Sequence, residues 1–134
     1  MRTWKRDDEL AAQMVFASLS LPIVPPFAGL VALDDEGAPV SAVVLNNYTR
    51  RDVHVSVVNA GMFGVRAMRH LAWVVFVNMG CTRVTAITRA DNLPARLALL
   101  QLGFSQEGVL REHFDGADGL IFGLLRSEQK IVRL

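Results

Sequence analysis

A histidine and a serine stand two residues apart, His54 and Ser56, in a short run of β-branched residues, Val53–Val58. Because side chains alternate in a β-strand, both should lie on one face. Histidine titrates near neutrality and can act as a general base, and a serine hydroxyl can hold a water that relays the proton. The alternative is that His54 is an exposed or hydrogen-bonded strand residue. We predict His54 as the candidate base and Ser56 as the holder of the relaying water.

Further candidate residues follow this strand. The segment Asn59–Gly64 (NAGMFG) breaks the alternating pattern, and Arg66 and Arg69 stand in the first turns of the helical pattern after it. These arginines are either solvated helix residues or partners for an anionic group. Asn92 directly precedes another helical pattern, where an asparagine also serves well as an N-cap.

Composition limits the class of protein. At 134 residues the chain is expected to be one domain over residues 1–134. Hydrophobic residues make up 51% of it, which predicts a well-filled core or an apolar surface used for self-association. The formal net charge of +1, with arginine and lysine scattered, argues against a nucleic-acid partner.

Cysteine and histidine usage argues against a metal site. Cys81 is the single cysteine, and His54, His70 and His113 lie far apart without ligand spacing. The apolar run Leu19–Leu33 is too short and too broken by prolines to span a bilayer, and the acidic residues before it do not fit a signal peptide. We expect a cytoplasmic protein with no membrane partner.

The periodicity of apolar residues predicts an α/β fold with a mixed sheet, in the order α-β-β-β-α-β-α-β-β. Antiparallel strands come first, and the later strand-helix-strand crossover should be parallel and right-handed. The predicted helices are a first helix from Asp7 or Asp8 to near Ser20, then Val65–Asn78 and Leu93–Leu102. The predicted strands are Gly29–Leu33, Val40–Tyr48, Val53–Val58, Arg83–Thr88, Phe104–Phe114 and Leu120–Leu125.

A set of residues at fixed spacing extends from the second helix into the last hairpin. It comprises Phe76, Gly80, Arg83, Val84, Asn92, Ala95, Gly103-Phe104, Glu107-Gly108 and Leu110-Arg111. In this spacing the chain resembles a compact, divergent member of the Gcn5-related N-acetyltransferase (GNAT) superfamily. It is nearest the branch that acetylates protein N-terminal α-amines, including those of ribosomal proteins, and other small amines.

The resemblance implies an acetyl-CoA site. In the family the strands matching Val53–Val58 and Arg83–Thr88 part at their ends, and pantetheine pairs with the exposed backbone. The pyrophosphate lies on the loop and helix N-terminus that follow, here Gly61–Val65. A backbone N–H near Val58 would stabilise the oxyanion. The cofactor-binding residues implied are Val58, Asn59, Gly61, Met62, Phe63, Gly64, Val65, Arg66, Asn92 and Arg96.

The chain departs from the family pattern at three positions. Asn59 replaces a glutamine or arginine, and Met62 occupies the first glycine position, with Gly61 one place early. Leu99 stands where many members have the tyrosine that protonates the leaving thiolate, so that proton would come from serine or water. On the hairpin expected to border the acceptor site, Glu112 and His113 should point to opposite faces.

The resemblance implies an acetyl-CoA-dependent N-acetyltransferase without a metal. It would transfer an acetyl group by direct attack of the amine of a small molecule or protein N-terminus in a ternary complex. The alternative is an acetyltransferase fold that has lost catalysis and serves as a binding or assembly module, which would suit a phage or mobile-element genome. The family and the apolar tail also lead us to expect a homodimer.

Overall fold

The computed structural model of the chain describes residues 3–62 and 64–134. The chain divides into two compact units, Met1–Tyr48 with His54–Gly64 and Thr49–Val53 with Val65–Leu134. The expectation of one domain over residues 1–134 stays a prediction.

The first unit is an antiparallel sheet with one helix packed on it. Its strands are hydrogen-bonded in the order β1-β2-β3-β4, each antiparallel to the next. The elements are β1 (Thr3–Arg6), α1 (Asp8–Leu19), β2 (Phe27–Leu33), β3 (Pro39–Asn46) and β4 (Asp52–Val58), of which residues 54–58 belong to this unit.

Strand β1 is an addition to the predicted order, which is confirmed from α1 onward. It is a short edge strand, with Thr3, Lys5 and Arg6 exposed, and pairs with β2 from Thr3↔Leu33 to Arg6↔Leu30. Its four residues, TWKR, have no apolar alternation from which a strand could be predicted.

Helix α1 begins and ends close to the predicted residues. The Asp7 carboxylate caps it by accepting a hydrogen bond from Leu10 N at 3.1 Å, and Ser20 ends it in the left-handed conformation. Its buried residues, Ala11 and Val15, pack on the sheet. Gly29 permits this close approach, because a Cβ built there would lie 2.5 Å from the Ala11 Cβ.

The second unit contains a three-stranded antiparallel sheet in the order β5-β7-β6. Since β5 and β6 are both antiparallel to β7, they run parallel to each other with α3 between them in sequence, as the predicted crossover requires. Its right-handedness stays a prediction. The elements are α2 (Val65–Trp73), β5 (Arg83–Arg89), α3 (Leu93–Gln101), β6 (Ser105–Phe114) and β7 (Ala117–Leu125).

The helix predicted over Val65–Asn78 changes its hydrogen bonding part of the way along. Residues Val74–Asn78 form a π-helical segment, closed by a hydrogen bond of 2.7 Å from Met79 N to Val74 O. Val75 and Phe76 from this segment are buried in the core, and Gly80 ends it with φ +71°. Val75 and Phe76 therefore still face the core, although the backbone hydrogen bonds change from the α-helical to the π-helical pattern.

With parallel and antiparallel strands and three α-helices among the described residues, the chain is a mixed α/β protein, as predicted. None of the helices within residues 3–62 and 64–134 has the length and apolar character needed to cross a membrane.

Candidate functional site

The candidate base lies on β4, on the face that carries α1. His54 is paired with Asn46 of β3 and Ser56 with Val44, and both are half-buried. Val58 on the same face packs against the core cluster of α1 and the sheet. The predicted alternation is thus correct, and His54 and Ser56 share a face. The Asn47 Nδ2 atom lies 3.5 Å from His54 Nδ1, at the outer limit of a hydrogen bond.

Two side chains join the carboxyl end of β4 to β3. Ser41, fully buried on β3, donates a hydrogen bond of 2.8 Å from Oγ to the carbonyl of Val58. Asn59 returns a bond of 2.9 Å from Nδ2 to the carbonyl of Val40. The amide nitrogen of this predicted cofactor-binding residue therefore already has an acceptor within the chain. Sequence reasoning missed Ser41, although a serine between Val40 and Ala42 in an apolar strand indicates a buried hydroxyl that needs a partner.

The loop after β4 is short. Ala60–Met62 form one 3₁₀ turn, and Phe63 lies outside the described residues. A Cβ built on Gly61 or Gly64 would meet no atom within 4 Å other than those of its chain neighbours. Each glycine therefore has open space where a side chain would stand.

In the second unit, Val65 and Arg66 begin α2. Val65 is 69% exposed, and the first turn of the helix holds no acidic residue. Arg66 and Arg69 are exposed, and neither forms a hydrogen bond or ion pair within the described part of the chain. A helix N-terminus with these two cations is electrostatically suited to an anion.

Asn92 is the N-cap of α3. Its Oδ1 atom accepts a hydrogen bond of 3.2 Å from Ala95 N. The Arg96 Nη1 atom donates to the carbonyl of Ala90 at 3.0 Å, which ties the helix to the turn before it. The capping interpretation is therefore confirmed, and a cofactor contact by Asn92 or Arg96 stays a prediction. Leu99 is half-buried and cannot donate a proton.

Arg83 and Glu107, both part of the spaced set, form an ion pair across the second sheet. Arg83 Nη2 lies 2.8 Å from Glu107 Oε1 and 2.9 Å from Thr85 Oγ1. The hydrogen bond to Glu107 is the main cause that raises the pKa of Arg83 above its ordinary value. Thr85 is buried and in turn contacts both carboxylate oxygens of Asp52 at 2.9 Å. Gly123 lies beneath the pair. These residues have a structural role.

The prediction that Glu112 and His113 point to opposite faces of β6 relied on regular alternation. The register of β6 shifts between Leu110 and Phe114, and Glu112 has φ +54°, so that alternation does not hold here. The Glu112 N–H donates to Asp118 Oδ1 at 2.9 Å. His113 lies over Gly119, whose Cβ would be 3.0 Å from the His113 Cβ.

Within residues 3–62 and 64–134 no three histidine, cysteine, aspartate or glutamate residues are grouped so that they could hold an ion.

The fold can be compared with solved structures. No family model and no curated protein matches the sequence. A mutant form of the spermidine/spermine N-acetyltransferase SpeG from Vibrio cholerae is similar, with TM-score 0.72 and 14% identity over 95% of this chain and 96% of that chain. Ribosomal-protein-S5-alanine acetyltransferase from Vibrio fischeri gives TM-score 0.70 and 15% identity over 96% and 95%. A GNAT-family acetyltransferase from Bacillus anthracis gives 0.61 and 18% over 75% and 67%.

These similarities extend over nearly the whole chain in two of the three cases. The chain therefore has the fold of the GNAT acetyltransferases, as its spaced residues predicted. At such identities the comparison is one of fold.

Proposed function

We propose that the chain is an acetyl-CoA-dependent N-acetyltransferase that acts on an amine. The observation that carries the proposal is the fold, which is similar along almost its whole length to enzymes named for acetylating spermidine or spermine and the alanine of a ribosomal protein. An amine-bearing small molecule or a protein N-terminus is accordingly the acceptor class. Acetyl-CoA supplies the acetyl group as a thioester.

Two separate features, one on the loop after β4 and one at the start of α2, support the proposed binding of the acetyl-CoA phosphates. Open space at Gly61 and Gly64 leaves room for a phosphate close to the backbone, and Arg66 at the start of α2 brings a positive charge that the described chain does not neutralise. The proposed cofactor residues are Val58, Asn59, Gly61, Met62, Phe63, Gly64, Val65, Arg66, Asn92 and Arg96.

In the proposed reaction, His54 takes the proton from the attacking amine, directly or through a water held by Ser56. The amine nitrogen then forms a bond to the thioester carbon as the carbon–sulfur bond breaks. A backbone N–H near Val58 stabilises the negative charge on the oxygen. Since Leu99 cannot donate, water gives the departing thiolate its proton.

Thiol release tests this proposal. The chain is mixed with acetyl-CoA and either spermidine or a peptide that begins with alanine, and free thiol is measured over time. We expect amine-dependent release, reduced roughly 100-fold or more in His54→Gln because general base catalysis contributes that much. His70→Gln, which changes an exposed histidine on α2, is the matched control and should match the unchanged chain. Equal rates for His54→Gln and the unchanged chain would remove His54 from the mechanism.

The hydrogen bonds of two asparagine side chains favour a second candidate function, that of a non-catalytic binding or assembly module. Asn59 and Asn92, both proposed to contact the cofactor, already hydrogen bond within the chain, and Leu99 provides no acid. Binding of acetyl-CoA without thiol release across a broad amine panel would favour this module. The expected homodimer is compatible with both candidate functions. A measurement of the mass of the particle in solution tests it.

A further inference from the structure

The carboxyl end of β4 is held by side chains where its backbone pairing stops. The last pair in the ladder with β3 is Ala42↔Val58. Directly beyond it, the Ser41 hydroxyl donates to the carbonyl of Val58 at 2.8 Å, with the carbonyl of Asn59 farther away at 3.4 Å. In return, Asn59 Nδ2 donates to the carbonyl of Val40 at 2.9 Å. These two reciprocal bonds are called the Ser41–Asn59 clamp below.

The backbone conformation of Asn59 explains why side-chain hydrogen bonds replace the backbone ladder between β3 and β4 at this point. Its φ of +59° turns the chain out of the extended conformation, so the regular ladder cannot continue. Asparagine is one of the few residues other than glycine that adopts this left-handed conformation readily. Its amide then reaches back to β3, and the buried serine meets it from the other strand. The clamp therefore fixes where the strand ends and in which direction the next residues leave.

The residues that leave β4 at this point are Ala60–Met62, the 3₁₀ turn of the proposed phosphate loop. The Asn59 side chain is exposed, while Ser41 is fully buried. An alanine would fill the position of Ser41 without burying a hydroxyl, and the serine is tolerated because Val58 accepts its hydrogen bond. The bond thus specifically orients the Val58 peptide, which is next to the loop.

We propose that Ser41 and Asn59 are positioning residues for the diphosphate of acetyl-CoA. They orient the Val58 peptide and direct the backbone of Ala60–Met62, and Asn59 acts on the cofactor through this backbone, since its amide nitrogen is bonded to Val40. The inference rests on the proposed function and assigns Ser41, a residue outside the proposed cofactor set, to the same site.

Two acetyl donors separate positioning from general stabilisation. Acetyl-CoA carries the diphosphate, whereas S-acetyl-pantetheine has the same thioester and pantetheine arm without it. Asn59→Gly keeps the left-handed conformation and removes only the amide, because glycine adopts positive φ without strain. Ser41→Ala removes the hydroxyl. Arg50→Gly is the matched control, since Arg50 is also exposed and has φ +76° in the turn before β4.

In Asn59→Gly and in Ser41→Ala, we expect the KM for acetyl-CoA to rise roughly three- to tenfold, the range that one lost hydrogen bond produces. The KM for S-acetyl-pantetheine should be unchanged, so the ratio of the two KM values should rise by the same factor. Arg50→Gly should match the unchanged chain with both donors. If Ser41→Ala does not fold, Asn59→Gly alone decides, because its altered side chain is exposed.

Three results would overturn the inference. If the unchanged chain uses acetyl-CoA and the variants use it equally well, the clamp has no part in cofactor binding, and the proposed function stands. If both donors are weakened alike, the clamp does not act through the diphosphate. If the unchanged chain uses neither donor and does not bind acetyl-CoA, the proposed function fails and the inference fails with it.

Discussion

Replacing Gly123 with alanine should destabilise the chain by displacing the ion pair of Arg83 and Glu107. Gly123 lies on β7 beneath that pair, and its Cβ would stand 2.5 Å from Glu107 Oε2 and 2.7 Å from Arg83 Nη2. These atoms are the far ends of flexible side chains. We therefore expect both side chains to move aside while the strands keep their register.

The expected loss follows from the bonds that the displacement breaks. The side chains of Arg83 and Glu107 are 29% and 40% exposed, so solvent screening limits their ion pair to about 1 kcal/mol. Arg83 would also lose its hydrogen bonds to Thr85, worth about 1 kcal/mol, while the Thr85 hydroxyl keeps Asp52 as acceptor. Alanine is better than glycine within a strand by roughly 0.5–1 kcal/mol, which offsets part of this loss. A net loss of about 1 kcal/mol corresponds to a fall in Tm of about 4 °C for a chain of this size.

Thermal and urea unfolding of Gly123→Ala measures this loss, and Gly108→Ala provides the matched control. A Cβ on Gly108 would make an ordinary contact, 3.4 Å from Ile121 Cγ2, so that variant should be as stable as the unchanged chain or slightly more stable. In a Glu107→Ala background, Gly123→Ala should cost much less, because the pair is already absent. A Gly123→Ala chain that is fully stable, or one that loses as much stability in either background, would refute the reasoning.

Three further outcomes are expected. Asn92→Ala should lose about 1 kcal/mol with the cap to Ala95. Asn92→Ser keeps the cap, so weaker acetyl-CoA binding by both variants would support a cofactor contact, and normal binding by Asn92→Ser would leave Asn92 as a cap only. Burial, with a smaller effect from a nearby aspartate, raises the pKa of the Cys81 thiol, so a disulfide reagent should label it only on unfolding; fast labelling of the folded chain would contradict this. The pKa of Asp8 lies below its ordinary value of 3.8. The larger cause is the hydrogen bond from Arg6, and the smaller is the hydrogen bond from Gly29 N. The ionised Asp8 carboxylate should therefore stabilise the fold fully above pH 3.8, and this stabilisation should be lost as the pH falls below that value. Acid unfolding of Asp8→Asn should not show this loss.

The elements predicted correctly are those that depend on interactions between residues close together in the sequence. The first helix was predicted to end near Ser20, and its cap at Asp7 is an interaction between residues three apart, which a sequence displays directly. The cap of α3 at Asn92 was also predictable as one of two alternatives for the same reason. Strand β1 and the π-helical segment Val74–Asn78 had no such local cause. The first depends on pairing with β2, and the second changes the hydrogen-bond ladder without changing the apolar stripe.

The candidate site was predictable only in part, because several of its contacts join residues far apart in sequence. The common face of His54 and Ser56 followed from alternation along one strand. The bond from Ser41 to Val58 spans 17 residues and depends on the register of β3 and β4, which the sequence alone does not give. Alternation also failed at Glu112, where β6 has an irregular register.

Calorimetric titration of the folded chain with acetyl-CoA is the most direct test of the proposed function. The proposed function predicts saturable binding at micromolar concentrations, with a stoichiometry of one cofactor for each chain. Circular dichroism of the same sample establishes that the chain is folded. The absence of binding up to millimolar acetyl-CoA in that folded sample would contradict the proposal that this chain is an acetyltransferase.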